Sequence, residues 1–325
     1  NGWNLVGNPY PSVLEWNSSW TKSGLDATIY IYDGSNYKTW NYNLGGFGSM
    51  GNGYIPSTQG FWVKANSSSP SLTIPNSERT HAAQSFYKGS ENLIENFFKL
   101  NVSNEACSDQ LILGFHEEAE DGYSGEFDAY KLFGDENAPQ LFAWYGEEML
   151  STSIIEPLNG KKKKMQLGFR AGEEGYYHLS FENLELVDPN YSIYLRDMME
   201  SSSEPVLIDV KKHPGYKFYA QEGMEEVRFV LYFYPADESE ENKSDQQEDN
   251  PGFASIYSSQ KDVFVHYMKK EAAEMIIYNL MGKEVRRENL SNYELNRFTL
   301  DVNKGYYIVK VLTATSVESC KIFIN

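Results

Sequence analysis

Apolar residues in this chain come in short runs that alternate with polar ones, and each run is closed by a turn. In Tyr176-Tyr177-His178-Leu179-Ser180-Phe181 and in Phe298-Thr299-Leu300-Asp301-Val302, every second side chain falls on one face of an extended strand. Asn159-Gly160 and Asp33-Gly34 supply the residues that tight hairpin turns require. Aromatic residues make up 15% of the chain, and flat rings pack well on a pleated surface. No apolar run nears the roughly 18 residues of a membrane-spanning helix. The expectation is an all-β protein, with tandem β-sandwich or jelly-roll-like modules followed by a small Ig-like β-sandwich.

At 325 residues the chain has room for two or three domains. The sharpest boundary is the stretch 236–252, which holds seven acidic residues, one Lys and no apolar side chain beyond Ala236 and Pro251. It buries too little to offset the entropy of ordering, so a disordered acidic linker is expected there. A truncated β-rich module is expected over residues 1–90, a β-sandwich module over 91–235 and a compact terminal domain over 253–325. The formal net charge of −18 disfavours nucleic acid as a partner. The terminal domain differs, with ten basic residues against eight acidic ones. The opening Asn1-Gly2-Trp3, with no Met and no signal peptide, is expected of a processed or truncated piece of a longer protein.

Catalytic chemistry finds little footing. His116-Glu117-Glu118-Ala119-Glu120 starts like a zinc-protease motif, but Glu120 stands where the second His belongs. Gly46-Phe47-Gly48-Ser49-Met50-Gly51 has the spacing of a dinucleotide loop, yet Pro56 follows closely where a helix would have to start. Cys107 and Cys320 lie in different predicted domains and have no catalytic partner. No enzymatic activity is expected. Carboxylates crowd between Glu117 and Asp128, and two readings stand. Asp121, Glu126 and Asp128 are candidate calcium ligands, or the segment is a solvated acidic loop. No other cofactor is expected. Lys161 to Lys164 read as a solvated hairpin tip that keeps a sheet edge from pairing. Trp40 and Trp20 are the candidate rings for stacking on a glycan, while Trp3 and Trp62, flanked by strand residues, are expected in the core.

Three motifs follow one another in the terminal block. They are Ile277-Tyr278-Asn279-Leu280-Met281-Gly282-Lys283-Glu284-Val285, then Gly305-Tyr306-Tyr307-Ile308-Val309-Lys310-Val311, then Lys321-Ile322-Phe323-Ile324. In this order they resemble the C-terminal sorting domain (type A) of type IX secretion cargo in the Bacteroidota. The residues that carry the resemblance are Gly282, Val285, Gly305, Tyr307, Val309, Lys310, Lys321 and Phe323. The resemblance implies passage through the periplasm, then recognition by the outer-membrane translocon and its shuttle barrel. It also implies a sortase-like surface peptidase, and a final location outside the cell or attached to the outer membrane. Gly2-Trp3-Asn4-Leu5-Val6-Gly7-Asn8-Pro9-Tyr10-Pro11 and Asp128-Ala129-Tyr130-Lys131-Leu132 are similar to β-sandwich modules of large surface proteins, often adhesins.

The functional expectation is thus the noncatalytic end of a secreted or cell-surface protein, with its last domain as the export signal. The alternative is a carbohydrate-binding or adhesin module belonging to a larger surface protein or enzyme. A short closing strand at a sheet edge leaves backbone groups open to strand addition. An acidic tether is expected to hold the signal sterically clear of its cargo.

Overall fold

The structure is a computed structural model that describes residues 2–82, 97–120, 122–145, 148–199, 207–236, 253–267, 271–292 and 295–324. The predicted linker lies outside the described residues, apart from Ala236. The regular elements are strands, joined by three single-turn 3-10 helices.

The first body is built on an antiparallel sheet in the order Gly2–Gly7, Gly60–Ala65, Leu25–Tyr32, Tyr37–Asn41. Alternation assigns its two faces. Ile29, Ile31, Phe61 and Val63 point inward and pack with Trp16, Trp20 and Trp40. Thr28 and Tyr30 point the other way, towards the second body.

That second body is one continuous sheet. Its strands run in the order Ile208–Asp209, Tyr191–Asp197, Gly223–Pro235, Lys163–Ala171, Gln140–Tyr145, Glu148–Ile155, Ser108–Phe115, Phe97–Ser103, Gly175–Glu182, Gly215–Ala220. Ser108–Phe115 and Glu148–Ile155 pair in parallel, through Ile112 with Thr152 and Phe115 with Ile155. The sheet curls until distant strands share one core. The Phe233 ring lies 5.2 Å from Phe115 and 6.1 Å from Phe98, although three strands lie between Gly223–Pro235 and Ser108–Phe115.

The two bodies interlock through buried polar contacts. The Tyr130 amide donates to Tyr30 Oη at 2.8 Å, and Asn41 Nδ2 donates to the Glu126 carbonyl at 2.8 Å. Asn36 Nδ2 donates to the Ser108 carbonyl at 2.8 Å, and Gln140 Nε2 donates back to Asn36 Oδ1 at 2.5 Å. Buried polar groups satisfied across a seam fix its register, because breaking one leaves its partner desolvated.

The terminal body is a two-sheet sandwich. One sheet has the order Ala254–Ser259, Asp262–Tyr267, Leu295–Thr299; the other has the order Glu284–Asn289, Glu274–Asn279, Gly305–Leu312, Val317–Ile324. Val263, Val265 and Tyr267 from the first meet Met275, Ile277, Val309 and Val311 from the second. The closing strand is the outer member of its own sheet and is not threaded into the neighbouring body.

The sequence expectation of a signal standing clear of its cargo is corrected here, because the sandwich packs on the second body. Tyr257 and Phe264 project from the outer face of the first sheet and join Tyr219 in a buried cluster. The Tyr219 and Phe264 rings stack at 4.7 Å, and the Tyr219 amide donates to Tyr257 Oη at 3.2 Å. His266, on the same face, lies 4.9 Å from the Tyr216 ring. Burial holds its imidazole down to about 4, so the docked sandwich carries it neutral. Beneath the contact, Arg228 and Asp197 form a buried ion pair that also accepts the Tyr216 hydroxyl at 3.0 Å. The docking residues carried a signal in the sequence. In Val263-Phe264-Val265-His266-Tyr267 large side chains fall on both parities, the mark of a strand covered on both faces.

Candidate functional site

While one sheet of the sandwich supplies Tyr257 and Phe264 to the contact with the second body, the three terminal motifs come together on the other. The hairpin at its end needs Gly282, whose φ of +76° lies in the left-handed region. Asn279 Oδ1 accepts the amides of Met281 and Lys283 at 3.0 Å each and closes the turn. The tip thrusts out Leu280 and Met281, 66% and 89% exposed, which the sequence reading did not single out.

The remaining motif residues divide by parity. Tyr307 and Val309 point into the sandwich core, and Val285 packs against it. The Tyr307 hydroxyl donates to the Asn303 carbonyl at 2.7 Å and pins the loop ahead of Gly305. Lys310, Lys321 and Phe323 point outward. Phe323 and the half-exposed Tyr306 face each other across the strand pair, with centroids 5.0 Å apart. Lys321 Nζ sits 4.1 Å from the Tyr306 ring, Lys304 Nζ 5.6 Å from Phe323 and Lys310 Nζ 5.8 Å from Tyr278. The outer face is therefore a set of aromatic rings with lysines held over them, next to an edge strand. Such a surface offers a partner cation–aromatic contacts on the face and the backbone groups of an outer strand beside it, where the Phe323 carbonyl already accepts a hydrogen bond from Ser258 Oγ at 2.8 Å. Tyr306 is the member of this face that sequence reasoning missed; its parity with Lys310 could have revealed it.

The other candidates are placed differently. Trp40 is 6% exposed and Trp20 2%, both in the first core, so neither presents a ring to a glycan. The Gly-rich stretch that suggested exposure instead wraps Trp40: a Cβ at Gly46 would lie 2.2 Å from its ring and one at Gly53 2.5 Å from its Nε1. Trp3, expected in the core, is 36% exposed, because Gly2–Gly7 is an edge strand whose outward face carries it against Tyr30 and Tyr130. Of the candidate calcium ligands, Asp121 lies outside the described residues and Glu126 is exposed. Asp128 is buried, and its two oxygens accept the amides of Ser124 at 2.7 Å and Ile154 at 2.8 Å. Burial lifts its carboxyl to about 7 despite those bonds. Its oxygens thus serve the backbone at the seam between the first two bodies. Among the described residues no group of three His, Cys, Asp or Glu side chains is placed to hold a metal ion.

Comparison with known families adds two findings. Residues 1–233 match a family described as a domain of unknown function, DUF8693, in one stretch that spans both interlocked bodies. Residues 259–325 match the secretion system C-terminal sorting domain. No curated protein matches the chain.

Proposed function

The chain belongs to the DUF8693 family and ends in a type IX sorting domain, and from that premise we propose how its terminal sandwich is read. The chain is cargo of the type IX system, secreted or exposed at the cell surface. The finer reading is that the outer-membrane translocon and its shuttle barrel take hold of the outer sheet, along Val317–Ile324 and over Tyr306, Lys321 and Phe323. A sortase-like surface peptidase then acts on the delivered protein, which stays attached to the outer membrane. The upstream bodies are noncatalytic freight.

One observation supports this reading above the others. The sandwich uses one sheet to pack on the cargo, and the other turns residues of all three motifs to solvent, among them Met281, Tyr306 and Phe323. The test is a variant that alters the open face without touching the core, Lys321→Glu with Phe323→Ala. Loss of one or two anchors of an interface weakens capture by about tenfold or more. The fraction of protein reaching the surface should fall accordingly, with the thermal midpoint of the purified chain unchanged. Undiminished export of the double variant contradicts the reading.

A further inference from the structure

The curled sheet of the second body has an outer face of its own, and its two ends differ. At one end it is covered, since Gln140 bonds to Asn36 of the first body and Phe142 is fully buried beside Phe133. At the other end Val230 is buried, while the aromatic and polar side chains around it are half-buried or exposed.

There the register sets out two rows. Trp144 stands opposite Gln166, which is followed across the sheet by Val230 and Arg196. One step along, Lys164 stands opposite Tyr232, and Tyr232 opposite Tyr194. The Tyr232 and Tyr234 rings stack at 6.0 Å with 8° between their planes. Trp144, Tyr194, Tyr232 and Tyr234 are all half-buried, rooted in the sheet with part of each ring turned to solvent, while Lys164 and Gln166 are exposed. The rows cross four adjacent strands, about 14 Å at the usual strand spacing. Beside Trp144 lies a cavity of about 220 Å³ lined by Tyr145, Ser153, Lys163, Lys164 and Gln166.

The polar groups on this face are unusual for so acidic a chain. Lys164 forms no ion pair among the described residues, and Arg196 Nε is buried with no hydrogen-bond partner. Lys162 Nζ lies 5.5 Å from the Tyr234 ring. Two carboxylates that flank this face are engaged, Glu156 with Lys163 at 3.3 Å and Asp209 with Lys212 at 2.8 Å. Cations at a row of aromatic rings call for a ligand with flat apolar faces, many hydroxyls and some negative charge.

We propose that this face binds an acidic polysaccharide, with sugar rings lying on Trp144, Tyr232 and Tyr194 and carboxylates meeting Lys164 and Arg196. The overall charge of −18 favours such a ligand over a nucleic acid. A nucleic acid carries a phosphate at every nucleotide and would be repelled most strongly by the rest of the surface. A polysaccharide with a carboxylate on every second sugar keeps the local attraction and lessens that repulsion. The site is independent of the sorting domain and of the buried Trp40 and Trp20.

The test uses the whole chain in affinity electrophoresis through gels containing hyaluronan, which alternates charged and neutral sugars, or dextran, which is neutral. Binding of a thirty-base oligothymidylate is measured alongside by fluorescence anisotropy. Retardation by hyaluronan and not by dextran is expected. Lys164→Glu and, separately, Trp144→Ala should each weaken it by about tenfold, while circular dichroism stays that of the parent. No retardation by hyaluronan, equal retardation by dextran, tighter binding of the oligothymidylate, or full binding by both folded variants would each overturn the proposal. Should Trp144→Ala fail to fold, the exposed Lys164→Glu variant decides.

Discussion

Removal of residues 253–325 leaves the protein inside the cell envelope. The truncated chain should be found in the periplasmic fraction and be absent from the cell surface and the medium, a loss of delivery rather than a reduction. The expectation follows from placement. All three sorting motifs lie on one sheet of a sandwich that has its own core, within the stretch 259–325 that matches the sorting-domain family. The cut also uncovers Tyr219, which Tyr257 and Phe264 bury. Newly exposed aromatic surface invites aggregation, so the fractionation is paired with a solubility measurement on the truncated chain. The same chain delivered to the surface in normal amount would remove the sorting domain from the account.

The second large effect lies at the base of the docking contact. Arg228 is 1% exposed; its Nε lies 2.8 Å from Asp197 Oδ1 and its Nη2 donates to Oδ2 at 2.9 Å. The same guanidinium sits 5.0 Å from the Phe218 ring and 6.0 Å from Tyr257 of the sandwich. Arg228→Ala strands the Asp197 carboxylate, buried and without a countercharge, on two neutral donors, the Tyr216 hydroxyl and the Met199 amide at 3.0 Å each. Breaking a buried pair from one side costs about 3–5 kcal/mol. Urea denaturation should show a fall of that size. Arg228→Met combined with Asp197→Leu should recover most of it, because the stranded charge is gone. A single variant within about 0.5 kcal/mol of the parent, the range of an ordinary surface change, contradicts the assignment of the pair as buried.

Much of this architecture was legible in the sequence, and the exceptions have physical reasons. Strands Gly305–Leu312 and Val317–Ile324 read directly from alternation, since one face is core and the other solvent. The turn at Gly282 read from its residue type, and the structure gives it the left-handed φ that type permits. The large side chains on both parities of Val263–Tyr267 mark a strand covered twice, but what covers its outer face did not read. Nothing local links Tyr219 to Phe264, and the acidic stretch between them argued for separation. Tryptophan exposure was misjudged in both directions. A Gly-rich neighbourhood permits close packing on a ring, as at Trp40, as readily as it permits exposure. A strand neighbourhood buries Trp3 only if its outward face is covered, and that depends on its place at the sheet edge. The open aromatic face of the second body was hidden for a related reason. Trp144, Lys164 and Tyr232 are far apart in the sequence and meet only through strand register.

The central claim is that the terminal sandwich turns one sheet to its cargo and the other to the secretion machinery. Site-specific photocrosslinking in cells tests it most directly, with a photoreactive phenylalanine analogue placed at Phe323 in one strain and at Phe264 in another. The account predicts that position 323 crosslinks to an outer-membrane component of the secretion system, and that position 264 crosslinks within the chain, to the strand Gly215–Ala220. Capture of the machinery from position 264, or none from position 323, would contradict it.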